Sequence, residues 1–311
     1  MHTVIRSVTR FTLLGVLAGS LPLIAQELPI EGPVATSATV SVESKQPVQL
    51  NPAMIKVEVN GHETALTGLA RIQPSTAQIA ILIDDGLRSS FGIQIDDLKK
   101  FVNALPPGAQ VVVGYMRNGK VEASQGFSTD HSAVAASIRI PISVAGISAS
   151  PYFCLSDFAK RWPSNARGPR FVLMLTNGVD PYNGSTSLLN QDSPYVQAAQ
   201  EDAQRAGIAV YAIAYTEAGV RGGSASFSGQ SYLNQVAEAT GGRSFYNLAG
   251  NPVSLAPFLS EFRSAIAESY TATFMASANH ENAKTLARLK ITTSQPQLKL
   301  HAPEGVHPGE Q

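Results

Sequence analysis

The chain has very little cysteine and no excess of charge of either sign. Its 311 residues include one cysteine, Cys154, so an internal disulfide cannot form and a small disulfide-stapled fold is excluded. Basic and acidic residues number 23 each, which gives no electrostatic reason to expect nucleic acid or an anionic membrane surface as partner. We interpret Cys154 as a small buried residue, because no adjacent basic residue would activate its thiol.

Motifs of catalytic or cofactor chemistry are also missing. The sequence has no Gly-x-Ser-x-Gly elbow, no phosphate-binding glycine loop and no dinucleotide fingerprint. The five histidines that follow the amino-terminal run are scattered and lack the spacing of metal ligands: His62, His131, His280, His301 and His307. We therefore predict that the protein is not an enzyme and uses no cofactor.

A long apolar run stands near the amino terminus, and no later segment is long and apolar enough to span a bilayer. Arg6 and Arg10 precede the run FTLLGVLAGSLPLIA, which ends in a small residue. This order is typical of a secretory signal peptide, and we expect cleavage near Ala25 and a periplasmic or secreted mature chain. A membrane anchor would be a different interpretation, but glycines and a proline interrupt the run.

Strand and helix patterns divide the chain into four parts. These are a signal peptide, an N-terminal arm with a β-hairpin, a main domain and a C-terminal β segment, at residues 1–25, 26–76, 77–269 and 270–311. The arm has no clear periodicity, and the chain from His301 onward resembles a loose tail. Asn60-Gly61 separates two apolar patterns and suits the type I′ turn of a hairpin.

The main domain alternates strand and helix patterns from Gln78 onward. Short β-branched runs, such as residues 79–83 and 171–175, are typical of buried parallel strands, and stripes with a helical period stand between them. This alternation predicts an α/β fold with a doubly wound, mainly parallel sheet and helices on both faces. The run from Val121 should form one antiparallel edge strand, and small β segments should flank the domain.

Polar residues follow two of the predicted strands at their carboxyl ends, where doubly wound domains bind ligands. The first loop begins with Asp84-Asp85-Gly86-Leu87-Arg88, and a later loop begins with Thr176-Asn177-Gly178. Because carboxyl ends of parallel strands meet at one edge of a sheet, we expect these two loops to lie together.

These loops, the order and spacing of the strands, and the phrases AGIAVYAIAY and ATGGRSFY resemble the von Willebrand factor type A (vWA) domain, especially its secreted bacterial VWFA-related branch. The resemblance covers residues 77–269. It implies a first loop of pattern Asp-x-Ser-x-Ser, a threonine from a second loop and a third loop reading Thr-Asp-Gly, which together hold a divalent cation. An acidic group of a partner would fill the open position of that ion.

The first loop departs from the family pattern. If Asp84 takes the aspartate position, Gly86 and Arg88 stand where the family has its two serines, and neither side chain supplies an oxygen ligand. If the register shifts by one, Asp85 takes that position and Ser89 recovers one hydroxyl. Both registers stay open from the sequence.

The other loops depart from the pattern as well. Asn177 replaces a carboxylate by a neutral amide, and the second loop offers Ser148 or Ser150 but no threonine. We interpret Asp180 and Asp192 as turn and surface residues. Magnesium demands nearly octahedral oxygen coordination, so we expect a degenerate site without metal.

The sequence thus predicts an exported, non-catalytic protein that binds a protein or polymer partner through these loops without metal. The candidate partner-binding residues are Asp84, Asp85, Arg88, Ser89, Ser148, Ser150, Thr176 and Asn177. In this interpretation Arg88 replaces the ion, is oriented by Asp84 and Asp85, and faces an acidic group; the plainer interpretation is a surface arginine without a specific role.

Two different functions compete with this prediction. One is a Mg²⁺- or Mn²⁺-dependent vWA adhesion module, which would need a metal site to survive the departures in the loops. The other is an α/β hydrolase, which would need a nucleophile and a base at the same face, but none of the three loops contains a histidine.

Overall fold

The computed structural model describes residues 32–44, 46, 48–143, 150–183, 192–215, 224–247, 251–277 and 286–309. All of them belong to one compact unit, Glu31–Gln311. The predicted signal peptide lies outside the described residues. Within them, no helix combines the length and the apolar character needed to cross a membrane.

The described residues form strands and helices in alternation. The strands are β1 (Val34–Glu43), β2 (Ile55–Val59), β3 (His62–Thr64), β4 (Leu66–Arg71), β5 (Gln78–Asp84), β6 (Gln110–Arg117), β7 (Lys120–Ala123), β8 (Arg170–Thr176), β9 (Ile208–Ala214), β10 (Ser244–Phe245), β11 (Ser269–Ala276), β12 (Ala287–Thr293), β13 (Lys299–His301) and β14 (Gly305–Val306). The helices are α1 (Ile95–Asn103), α2 (His131–Ala136), α3 (Pro151–Lys160), α4 (Pro194–Arg205), α5 (Ser224–Ala239) and α6 (Ala256–Ala267).

The main sheet has six strands in the order β10-β9-β8-β5-β6-β7. Five of them run parallel, and β7 pairs antiparallel with β6 at one edge. The predicted α/β fold, with a mainly parallel sheet and one antiparallel edge strand, is confirmed. Since β5 is central and β8 is its neighbour, the ends of these two strands meet, as the sequence predicted.

Both faces of this sheet are buried, because apolar side chains alternate along each central strand. In β5, Ile79, Ile81 and Ile83 share a core with side chains of α1, α2 and α6. Ala80 and Leu82 of the same strand share a second core with side chains of α3, α4 and α5. Helices therefore cover both faces, and the loops at the ends of the strands remain as places where a site can form.

The strands β1–β4 and β11–β14, which lie before and after the main sheet in sequence, form two further four-stranded sheets, in the orders β13-β1-β11-β4 and β14-β12-β2-β3. Their facing side chains, which include Val40, Val57, Phe274 and Leu289, form a third core. The expectation of an irregular arm is wrong for residues 34–43, because β1 pairs with β11 over eight residues. Small and polar residues in β1 leave its alternation weak in the sequence.

The predicted tail and hairpin also need correction. His301 ends β13, and Val306 lies in β14 and is buried, so the described part of the tail belongs to these sheets. The turn at Asn60-Gly61 has positive φ at both residues, as a type I′ turn requires. The strand predicted after it is two strands, however, and β4 leaves the hairpin to pair with β11 in the other sheet.

Candidate functional site

Asp84 and Thr176 join the first and third loops at the carboxyl edge of the main sheet. The Thr176 hydroxyl donates to Asp84 Oδ2 at 2.7 Å, and the Gly86 amide donates to Asp84 Oδ1 at 2.8 Å. Thr176 Oγ1 also accepts from the Gly178 amide at 3.2 Å. Both side chains are buried, so this contact fixes the two loops to each other.

Asp85 is fully buried and is neutralised by an arginine that the sequence analysis did not single out. Arg139 Nη1 lies 2.6 Å from Asp85 Oδ1, and the Ser143 hydroxyl donates to Oδ2 at 2.7 Å. The Ile142 amide donates to Oδ1 at 3.1 Å. Burial by itself would raise the pKa of this carboxyl, but its hydrogen bonds and the arginine's charge outweigh burial and hold the pKa below the ordinary value. The prediction that Asp85 orients Arg88 is therefore wrong.

Arg139 is itself held on the ring of Tyr115, in β6. Its guanidinium carbon lies 3.7 Å from the ring centroid, a cation–π contact. The Tyr115 hydroxyl accepts from the Arg139 amide at 2.6 Å and donates to the Arg139 carbonyl at 2.9 Å. These contacts fix the segment 137–143 against the first loop. In the sequence, this arginine is the one charged residue in the otherwise apolar run Ile-Arg-Ile-Pro-Ile, and such a position could have indicated a buried partner.

The remaining predicted site residues fall into two groups. Arg88 and Ser89 are exposed at the end of the first loop. Ser150 is buried as the N-cap of α3, where its hydroxyl accepts from the Tyr152 amide at 3.3 Å, and Asn177 Oδ1 accepts from the Val179 amide at 2.9 Å. Ser148 lies outside the described residues. The structure thus brings together Asp84 and Thr176, while Ser150 and Asn177 bind nearby backbone.

The third loop is pressed against α5. A side chain at Gly229 would place its Cβ 2.2 Å from the Asn177 carbonyl oxygen, and Gly178 has φ +71°. The expectation of a surface role for Asp180 is wrong: this carboxylate is buried and accepts from the Ser193 hydroxyl at 2.9 Å and from the Tyr182 amide at 3.2 Å. The amide contact is the turn interaction that was predicted for it.

Cys154 lies in α3 beneath this face and is fully buried, as predicted. Burial raises the pKa of its thiol to about 12, so the reactive thiolate is scarce at neutral pH.

Four exposed aliphatic side chains rim the first loop and form what we term the loop-face patch: Ile93, Ile140, Ile142 and Val253, with exposed fractions of 70%, 47%, 67% and 90%. Side-chain contacts join the segments that carry Ile93, Ile140 and Val253. Ile140 Cδ1 lies 3.5 Å from where a Cβ would stand on Gly92, and Gln94 Nε2 donates to the carbonyls of Pro252 and Val253 at 2.9 and 3.4 Å. Exposed aliphatic groups of this kind, beside polar loops, are typical of binding surfaces.

The donor set of the loop face does not fit a magnesium site. Asp85 binds a guanidinium, and Asp84 and Thr176 bind each other at hydrogen-bond distance. The oxygen of Asn177 accepts a backbone amide. In the part of the chain that the structure describes, no three His, Cys, Asp or Glu residues form a metal-binding group. A hard divalent cation would have to displace these contacts to gain ligands.

No family model matches the chain, and no curated protein matches it. Among solved structures, it is similar to the protein BatB from Bacteroides thetaiotaomicron, with 16% identity, coverage of 61% of this chain and 98% of that chain, and a TM-score of 0.41. It is also similar to a von Willebrand factor type A structure from Catenulispora acidiphila (10% identity, 91% and 76% coverage, TM-score 0.44).

A third similar structure is the ArnB paralog VWA2 from Sulfolobus acidocaldarius (11% identity, 88% and 76% coverage, TM-score 0.40). Identities and TM-scores this low support no inference about activity or partner. The order and direction of the strands in the main sheet are those of a vWA-like fold, as the sequence resemblance implied. The degenerate metal site stays a prediction.

Proposed function

We propose that this protein, which has a vWA-like fold, is an exported, non-catalytic interaction module that binds a protein partner through its loop face without a metal ion. The observation that carries the proposal is the exposure of the four aliphatic side chains of the loop-face patch beside Arg88 and Ser89. Burying apolar surface is the main favourable contribution in most protein associations.

The backbone that presents two residues of this patch is held by contacts within the protein. Ile140 and Ile142 lie in the segment 137–143, which contacts with Asp85 and Tyr115 fix. A partner that docks there would lose little free energy to ordering of the loop, and preorganisation of this kind favours affinity. The ion pair between Asp85 and Arg139 supports this role, since it stabilises the presenting segment.

Arg88 supplies the polar half of the proposed interface. A guanidinium can form a bidentate, charge-assisted contact with a carboxylate. We expect Arg88→Ala to weaken partner binding by roughly 10- to 150-fold, which corresponds to about 1.5–3 kcal/mol. Arg88→Lys should restore only part of the loss, because an ammonium lacks the planar pair of donors.

The test is site-specific crosslinking from the loop face. Cys154 is buried and its thiol pKa is about 12, so a photo-crosslinker on Ser89→Cys labels one position. We expect one covalent protein adduct in the extracytoplasmic fraction, in equal yield with EDTA or with millimolar Mg²⁺. Adding Ile142→Asp should remove the adduct. Met275→Asp, at a 38% exposed apolar residue of β11, is the matched control and should keep it.

Three outcomes would contradict the proposal. Loss of the adduct in EDTA would favour a metal-dependent module. An equal loss of the adduct with Ile142→Asp and with Met275→Asp would show that any exposed apolar side chain supports crosslinking, and not the loop-face patch specifically. Crosslinking to a polysaccharide instead of a protein would make the partner a polymer.

Export is proposed from the amino-terminal sequence, where a basic flank precedes a short apolar run. We expect the native mature chain to begin close to Gln26. Sequencing of the amino terminus of the native protein measures this directly. A chain that still begins with Met1 or His2 would contradict export by a cleaved signal.

A further inference from the structure

A second region stands at the opposite edge of the main sheet, where the amino ends of β8 and β9 approach β1 and β11. There the structure contains a cavity of about 470 Å³. Its walls are the loop 165–169 before β8, residues 206–209 at the start of β9, the outward face of β1 and β11, and the chain near His307. This volume lies within the range of typical small-molecule sites.

The charged residues that line this cavity have one sign. They are Arg167 and Arg170, and no aspartate or glutamate lines it. Arginine stays protonated at any pH that the protein experiences. Both charged side chains in the lining are therefore positive, although the whole chain has no net charge.

Hydroxyl groups line the same cavity. Thr39 and Thr271 are directly paired across β1 and β11, so their side chains lie side by side on the same face. The structure gives the side chains of Arg167, Thr39 and His307 no hydrogen bond or ion pair with the part of the chain that it describes. Donors and acceptors that the protein does not use are thus concentrated at one cavity.

Contacts within the protein hold part of the cavity wall in place. Arg170 donates from Nη1 to the Ala206 carbonyl at 2.9 Å, and its guanidinium lies 5.5 Å from the ring centroid of Trp162. Gln78 holds the loop 165–169 through its side chain, which donates to the Ala166 carbonyl at 2.7 Å, and through its amide, which donates to the Pro169 carbonyl at 2.9 Å. The backbone of this loop and the Arg170 side chain are therefore preorganised, whereas the exposed side chain of Arg167 is ordered only when it binds.

We propose that this cavity binds a small hydroxylated oxyanion, either an acidic sugar or a sugar phosphate. Arg167 and Arg170 face the carboxylate or phosphate, and Thr39 and Thr271 bind hydroxyl groups. Charge-assisted contacts from two guanidinium groups select the anion. The site is independent of the loop face, since it lies at the other edge of the sheet and shares none of its residues.

The test is calorimetric titration of the full chain with three probes: glucuronate, glucose 6-phosphate and glucose. We expect saturable one-site binding of at least one anion, and binding of glucose at least tenfold weaker. The anion that binds more tightly identifies the oxyanion as carboxylate or phosphate. Arg167→Gln should weaken anion binding about tenfold or more. Arg263→Gln, at an exposed arginine of α6, is the matched control and should leave it unchanged.

Thr39→Val provides a second variant, because it removes one hydroxyl while keeping the β-branched shape that suits a strand. We expect it to weaken binding by a few-fold without change in thermal stability. Absence of binding by both anions would overturn the proposal. So would glucose binding as tightly as the anions, or an equal loss of affinity with Arg167→Gln and Arg263→Gln.

Discussion

At the carboxyl ends of β5 and β8, both acidic side chains are bound within the protein, Asp84 by a threonine and Asp85 by an arginine. At the amino ends of β8 and β9, basic and hydroxyl side chains line a cavity, and Arg167 and His307 have no contact of this kind with the described residues. Polar side chains at the carboxyl edge of the sheet are therefore bound within the protein, whereas some of those at the amino edge are not. The loops that resemble the vWA metal site stabilise the fold, and unused hydrogen-bonding capacity lies at the edge that the resemblance does not mark.

Among the changes that test this comparison, Asp85→Ala should have the largest effect on the free energy of unfolding. The variant leaves Arg139, Ser143 and the Ile142 amide without their acceptor, and we expect the free energy of unfolding to fall by about 3 kcal/mol. The loss is less than for a fully buried pair, because the Arg139 side chain is 37% exposed and can be hydrated. Urea unfolding at pH 7 measures it.

The same variant tests how the stability that Asp85 contributes depends on pH. The pKa of Asp85 is lower in the folded protein than in the unfolded chain, so its contribution is complete above about pH 4 and is lost as pH falls through the folded-state pKa. The gap between wild type and Asp85→Ala should shrink below pH 4. Glu122→Ala, at an exposed carboxylate of β7, is the control, and an equal loss there would contradict a specific role for Asp85.

A smaller effect is expected from Thr176→Val. This change removes the hydroxyl that donates to Asp84 and accepts from Gly178, while the volume is nearly kept. We expect a loss of about 1.5–2 kcal/mol in the free energy of unfolding, since a buried carboxylate loses a donor. Thr129→Val, at an exposed threonine, should be nearly neutral. A neutral result for Thr176→Val as well would mean that the two loops are not held by this contact.

The smallest expected effect is that of magnesium. A ligand stabilises the folded state in proportion to its occupancy, and the oxygens of the loop face are bound to protein groups. We therefore expect millimolar Mg²⁺ or Mn²⁺ to leave Tm unchanged in differential scanning calorimetry, relative to EDTA. One-site micromolar binding in a calorimetric titration would restore the metal-dependent module as the better function and remove the contrast between the two edges.

The main sheet was predictable because its strands are local patterns. Strands β5, β8 and β9 are nearly continuous apolar runs, and every residue of β5 and β9 is buried. Strand β1 was missed because small and hydroxyl residues weaken its alternation, and because its partner β11 lies far along the chain. When two strands pair across a long stretch of sequence, the local pattern of neither strand identifies its partner.

The site was predictable in part for the same reason. Asp84 and Thr176 follow strand ends, and neighbouring parallel strands bring such ends together. Arg139 follows no strand, and 54 residues separate it from Asp85 in the sequence. Nothing local showed which basic residue would neutralise the buried carboxylate, so the nearer Arg88 was chosen wrongly as the partner of Asp85.

The pairing of β1 with β11 has a consequence for the order in which the chain folds. Val40 of β1 pairs with Tyr270 of β11. The Leu50 amide, which follows β1, donates to the Tyr270 hydroxyl across 220 residues of sequence, and closure of so long a loop is slow. Until β11 has been synthesised, β1 presents bare backbone donors and acceptors to any neighbouring chain. The first described strand is therefore completed late, and a chain shortened at its carboxyl end keeps an adhesive strand near its beginning.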